Sequence, residues 1–428
     1  MALYLETLVR SVQNQTNNFT RHTGFICVLT LIALTILQGW MVTLPWETDD
    51  SSLIGVSIGL SEVGCLIGAT ILSVFPQRRR HVHVLLMSVG VIGCFLGIFA
   101  IDTGHVETTV LIIAFTCIGI ATSIQPITVI VPVKTEAETS VNANAYSMCR
   151  QLSYATTLIF AFMYTYLGWS FLCVFTVVLL LLAMAITFNV EKVSSERLLT
   201  TETTEEKVPF REAVRHLPMF IWATLFSFSA SGFTEGVTNS MAMLVLKDIW
   251  LSAKSDAFTR SMICPLIAVV IYPFISSFVN PRKQFLLAMG LLGVFIALYP
   301  FMPNALLGFF MLTFWNVGKT CMHSSVYSVI REATDDGSVI ARLVALEQWT
   351  CTLFYGLAGV IGGTLFDQAY WLPFLVAGIL QIFLLGCSLL AFMSDSRSHG
   401  QSFIDDAVRA LNEKPVPTSE SQQYLVLE

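Results

Sequence analysis

The sequence predicts an all-α polytopic membrane protein, with twelve transmembrane helices in two six-helix bundles. Three observations carry that prediction. Of 428 residues, 55% are hydrophobic and only 12% are charged, against roughly a quarter charged in ordinary soluble domains. The apolar residues gather into twelve runs, each near the about 20 residues that cross a bilayer as a helix. A polar segment divides these runs six and six, and the basic residues cluster in alternate loops.

The first six runs begin near Gly24, Leu53, Val82, Thr108, Ala145 and Ser170, and the last six near Leu217, Phe258, Phe285, Asn304, Ile340 and Tyr370. The fifth and eleventh have polar first turns. No cleavable signal peptide is expected, because the first run is too long and ends in "QGWMVTLPW" instead of a small-residue cleavage site. Between the halves, "NVEKVSSERLLTTETTEEKVPFREAVRH" is charged, rich in Thr and Glu, and without strong apolar periodicity, so it reads as a linker with a short surface helix at 210–216. The expected organisation is a tail at 1–23, a bundle at 24–190, the linker at 191–216, a second bundle at 217–393 and a tail at 394–428.

Basic residues set the orientation. "PQRRRHVH" after the second run, Lys134 after the fourth, the linker, "NPRKQ" after the eighth, and Arg331 and Arg342 after the tenth all fall on one side. The opposite loops carry almost no Lys or Arg, except for "LKDIWLSAKSDAFTR" after the seventh run. The positive-inside rule therefore places both termini in the cytoplasm. On that reading the sequons at Asn14 and Asn18 are cytoplasmic and unmodified.

Composition also excludes function classes. The ten cysteines are scattered, with no CxxC and no Cys/His spacing suited to a metal, so neither a metal nor another cofactor is expected. No nucleophile, metal or phosphate-cradling motif marks an enzyme. The basic residues sit in short loops, and no nucleic-acid partner is expected; the lipid bilayer is the expected surrounding.

The halves show a faint internal repeat. "VKTEAETSVNANAYSMCRQLSYATTLIFA" and "IREATDDGSVIARLVALEQWTCTLFYG" hold the same place in their halves, and a gapless alignment sets Lys134 on Arg331, Arg150 on Glu347 and Gln151 on Gln348. Two six-span halves joined by a polar cytoplasmic linker resemble the major facilitator superfamily of secondary transporters. That family's signature after the second span is partly present in "GATILSVFPQRRR": Gly68, Arg78, Arg79 and Arg80 are there, and the expected acid is missing. The resemblance implies bundles related by a pseudo-twofold axis along the membrane normal. It also implies substrate near the midplane and alternating access by rocking of the halves. Spans 1, 2, 4, 5, 7, 8, 10 and 11 would line the cavity.

An ionisable group near the bilayer centre costs on the order of 3 kcal/mol or more, so those retained face a cavity or a partner. Within the runs these are Glu62, Arg150, Glu235, Lys319, His323 and Glu347, all on spans that the family fold turns inward. Trp315, Lys319 and His323 recur every four residues and share one helical face, which suits a carboxylate, a phosphate or a planar ring. Alternatively, Lys319 pairs with Glu235 or Glu347, and His323 donates to a backbone carbonyl. Glu235 lies in "FSFSASGFTEGVTNSM", whose glycines and hydroxyls suggest a helix broken at a cavity, with Asn239 one turn on. Burial raises a carboxylate's pKa and a nearby cation lowers it, so Glu235 is a candidate proton-coupling residue. Glu62 is a second, although Gly55, Gly59, Ser61, Gly64 and Gly68 on its helix are also the pattern of close helix packing. Arg150 and Glu347, equivalent in the repeat and opposite in charge, are candidates for a cytoplasmic gate. Trp315, Lys319, His323, Glu235, Asn239 and Gln125 make up the candidate substrate site.

Three functions fit. The first is a proton-coupled secondary transporter of a small organic solute, anionic or zwitterionic given its basic groups. The second is a proton-driven exporter of amphipathic or cationic compounds, given Glu62, Glu235 and the abundant Phe, Trp and Met. The third is a carrier fold used as a sensor or scaffold. The polar C-terminal tail ends "SESQQYLVLE", in which Tyr424 to Leu427 resembles a tyrosine-based sorting signal. That match suggests sorting adaptors as partners and a plasma or endosomal/lysosomal membrane.

Overall fold

The structure, a computed structural model, describes residues 21–74, 79–102, 107–123, 136–198, 217–331 and 337–412. Asn14, Asn18, Gln125 and Tyr424 to Leu427 lie outside the described residues. The fold is all helical among the described residues. In the first half these are α1 (Arg21–Thr43), α2 (Ser51–Val74), α3 (Arg79–Asp102), α4 (Thr108–Ala121), and α5 and α6, which together form Glu136–Leu198. In the second half they are α7 (Met219–Leu244), α8 (Lys254–Phe278), α9 (Pro281–Leu298), α10 (Ala305–Arg331), α11 (Gly337–Gln368) and α12 (Leu372–Asn412).

Local chemistry marks the breaks. α5 and α6 part at Gly168, whose φ of 78° is readily available only to glycine. Proline opens the short 3₁₀ turn Leu44–Trp46 after α1, and Asn280 caps α9 with proline at its first position. α7 runs unbroken from Met219 to Leu244 before a π-helical turn at Val245–Ile249, so the helix break expected around Glu235 does not occur. Its glycines serve packing instead: a Cβ on Gly232 would collide with the Cys351 carbonyl oxygen, and one on Gly236 would lie 2.5 Å from that of Tyr355.

Nine stretches are long and apolar enough to cross a membrane among the described residues, and α4 is a shorter apolar helix. The hydroxyl-rich α7 is not one of the nine. Large apolar side chains such as Phe95, Phe99, Leu182, Phe383 and Leu390 project outward. In water such a surface would be an aggregation liability; in a bilayer it is the lipid face. The protein is an integral membrane protein.

The two sequence halves meet chiefly where α2 crosses α11 and where α5 meets α8. The α2–α11 crossing is stripped of side chains: a Cβ on Gly55 would collide with the Gly359 carbonyl oxygen, and one on Gly59 would come within 2.6 Å of that of Gly356. Further along α2, Gly64 approaches α4 at Thr116, and Gly68 approaches it at Ile120 and the Ser123 side chain just beyond its end. The small residues flagged in α2 are thus spent on two neighbours, one in each half.

Candidate functional site

Three layers stack along the helices, starting from the end where α1 leads into α2. The first joins the halves. Lys247, in the π-helical turn after α7, donates to the Pro45 carbonyl at 2.7 Å and pairs with Asp49. Lys254, opening α8, donates to the Tyr164 hydroxyl at 2.9 Å, and that hydroxyl donates to Glu47. Lys254 Nζ also sits 4.0 Å from the Tyr164 ring centroid and 5.7 Å from that of Trp46. Ser51 and Ser52 of α2 donate to Asp367 of α11. Burial raises the pKa of Asp248, beside this clasp, while Lys247 opposes the shift. The basic loop that broke the orientation pattern is therefore one side of an ionic and aromatic contact between halves.

One to two turns deeper lies a small cavity between α1, α7, α8 and α10. Trp315 and Asn239 line it, as do Gln38, Thr238, Ser261 and Asn316. Met41, Met243, Met262 and Leu312 supply much of the apolar wall. The polar groups are fixed from behind. Ser153 and Thr157 of α5 donate to Gln38 Oε1 at 3.0 and 3.2 Å, and Asn239 Nδ2 donates to the Tyr355 hydroxyl at 2.7 Å.

One turn past the cavity the charges meet. Lys319 Nζ is 3.0 Å from Glu235 Oε2, and His323 Nε2 is 2.7 Å from Glu235 Oε1. All three residues are buried. Phe228 packs edge-on to the imidazole at 4.7 Å, and Lys319 Nζ lies 5.4 Å from the Trp315 ring centroid. The i, i+4 spacing on α10 makes this possible, since both basic groups lean onto one turn of α7. A single carboxylate thus serves an ammonium and an imidazole in a water-poor setting. Moving one proton onto it changes the charge balance of the whole cluster.

Sequence reasoning singled out these three residues as candidates for the substrate site. The structure brings Lys319, His323 and Glu235 together one turn from the cavity, and of the candidate residues Trp315 and Asn239 line it. His323 meets Glu235 where a backbone carbonyl was the alternative. Glu62 is buried at the α2–α11 crossing, its Cβ 3.5 Å from the position a Cβ on Gly356 would take, and it is not among the lining residues. Glu347 is buried in α11. The side chain of Arg150, in α5, lies outside the described residues. Gln38, Ser261 and Asn316 were missed. Gln38 and Asn316 are amides inside long apolar runs, a signal that a search confined to charged residues passes over.

The sequence profile of the Major Facilitator Superfamily matches residues 23–339. The chain belongs to the Major Facilitator Superfamily. It is a transporter, not an enzyme. Its fold is similar to that of the nucleoside transporter NupG, with a TM-score of 0.61 at 12% identity over 87% of this chain and 99% of that one. A point mutant of NupG gives a TM-score of 0.63 at 11% identity, over 87% of this chain and 100% of that one. An auto-inhibited POT-family peptide transporter gives 0.60 at 11% identity, over 88% and 97%. No curated protein matches the chain by sequence. The cavity draws on α1, α7, α8 and α10, four of the eight helices that the family resemblance implied.

Proposed function

We propose that the chain is a proton-coupled secondary transporter of a small organic solute, working by alternating access between two six-helix bundles. The observation that carries this reading is Glu235, held jointly by Lys319 and His323 one turn from the cavity. If solute or rocking of the halves shifts α10 against α7, Glu235 loses a cation and gains a proton, and the reverse shift releases it. The solute site and the proton site are then neighbours on the same two helices. The chemistry that motivated an anionic or zwitterionic solute is already engaged within the cluster.

The layered arrangement supports the alternating-access part. By the positive-inside reading, the clasp of Lys247, Asp49, Lys254, Tyr164 and Glu47 closes the non-cytoplasmic end, and Arg150 and Glu347 act towards the cytoplasm. Both termini are then cytoplasmic, in a plasma or endosomal/lysosomal membrane, with Tyr424 to Leu427 available to sorting adaptors.

The test is flux. The purified full-length protein, reconstituted in vesicles with a lumenal pH dye, is offered nucleosides, nucleobases, amino acids, dipeptides, sugars and monocarboxylates in turn. At least one class should drive proton movement above that of protein-free vesicles. Solute flux with no accompanying proton movement would overturn the coupling.

A further inference from the structure

We propose that the cavity selects an uncharged, flat solute whose edge carries both hydrogen-bond donors and acceptors, as an amide, imide or nucleobase does. This rests on the reading that the cavity holds the transported solute, and it narrows the class of that solute.

Charge comes first. None of the residues lining the cavity is ionisable. Lys319, one turn along α10 from the lining residue Trp315, is matched by Glu235, whose second oxygen meets His323. A carboxylate entering this apolar space would find no counter-charge in its lining. An isolated charge in such a site is disfavoured far more than a neutral amide that finds partners.

The hydrogen-bonding inventory comes second. Gln38 Oε1 is occupied by Ser153 and Thr157, which leaves its amide N–H groups as donors. Asn239 commits its Nδ2 to Tyr355, and Asn316 donates its own to the Leu312 carbonyl at 2.8 Å, so each offers an oxygen as acceptor. Trp315 Nε1 is buried without a hydrogen-bond partner among the described residues, and its residue lines the cavity. A buried donor of that kind is costly unless something accepts from it. Donors from Gln38 and Trp315 and acceptors from Asn239 and Asn316 on a neutral frame complement a group that both gives and takes hydrogen bonds.

Shape comes third. Met41, Met243 and Met262 together with the Trp315 indole surround the space with polarisable groups that pack well against a ring.

The experiment uses matched ligands that differ in charge on one ring. Full-length protein in detergent is titrated with nicotinamide against nicotinate and 1-methylnicotinamide, uracil against orotate, and uridine against uridine 5′-monophosphate. The readouts are melting temperature and dissociation constant at neutral pH. The expected result is that at least one uncharged member binds, with its charged partners at least about tenfold weaker. Gln38→Ala and Asn239→Ala should each weaken that binding by about three- to tenfold, the effect of losing one net hydrogen bond. The wild-type comparison needs no variant, so misfolding of either substitution leaves the test intact. A charged member binding as tightly as its neutral partner, or no uncharged member binding up to its solubility, overturns the proposal. Anion binding with proton-linked flux would refute the uncharged class and leave the carrier reading standing. Binding of a neutral member without flux would do the reverse.

Discussion

Lys319 Nζ lies 3.0 Å from Glu235 Oε2, with both side chains almost completely shielded from solvent. Neither charge is tolerable there alone, so removing one partner should be worse than removing both. Glu235→Gln or Lys319→Met should each destabilise the protein by about 3–5 kcal/mol, and the double variant should recover most of that loss. Thermal unfolding of the purified variants checks this. A double variant as unstable as the sum of the singles would deny the pairing its energetic meaning.

Asp49 and Lys247 belong to opposite halves, and Asp49 is 87% exposed. An exposed pair contributes about 0.2–1 kcal/mol, enough to change the opening of the clasp by up to about fivefold. Lys247→Ala should raise the labelling rate of a Met243→Cys probe by an impermeant maleimide added from the non-cytoplasmic side. The exchange Asp49→Lys with Lys247→Asp should bring it back down. No change in labelling would show that the clasp does not control access.

The α2–α11 crossing has no room for side chains, so even one methyl group there should act as a wedge. Because a Cβ on Gly55 would collide with the Gly359 carbonyl oxygen, Gly55→Ala must push the helices apart. The expected outcome is at least about a tenfold fall in flux, with membrane expression retained and labelling of Met243→Cys increased. Wild-type flux in Gly55→Ala would mean that the halves do not close through this contact.

Arg150 and Glu347 stand at equivalent repeat positions with opposite charge. If they form the cytoplasmic gate, Arg150→Glu and Glu347→Arg should each lose transport, and the double exchange should restore a measurable part of it. Failure of the exchange removes direct pairing from the account.

Much of this molecule was legible in its residues, for physical reasons that also explain what was not. Ionisable groups are too costly in hydrocarbon to be incidental, so Glu235, Lys319 and His323 announced a buried site from sequence alone. Which of them meets the solute depends on how α7 and α10 are rotated about their axes, and spacing along one helix does not report that. The glycines of α2 advertised close packing, but whether a neighbour belongs to the same half or the other is a tertiary fact. The glycines of α7 looked like a helix break because glycine weakens an isolated helix; packing against α11 overrides that propensity. Lys247 and Lys254 broke the charge pattern of the loops because counting charges is blind to pairing, and each is tied to an acid of the opposite half, Lys247 directly and Lys254 through the Tyr164 hydroxyl.

The central claim is that Glu235 carries the proton that drives the solute. Its most direct test compares two activities of Glu235→Gln in vesicles, using whichever solute of the flux screen moves protons with the wild type. A permanently neutral side chain should abolish uphill accumulation driven by a pH gradient while preserving downhill exchange of labelled for unlabelled solute. Accumulation at the wild-type level in Glu235→Gln would contradict the account and move the coupling site elsewhere.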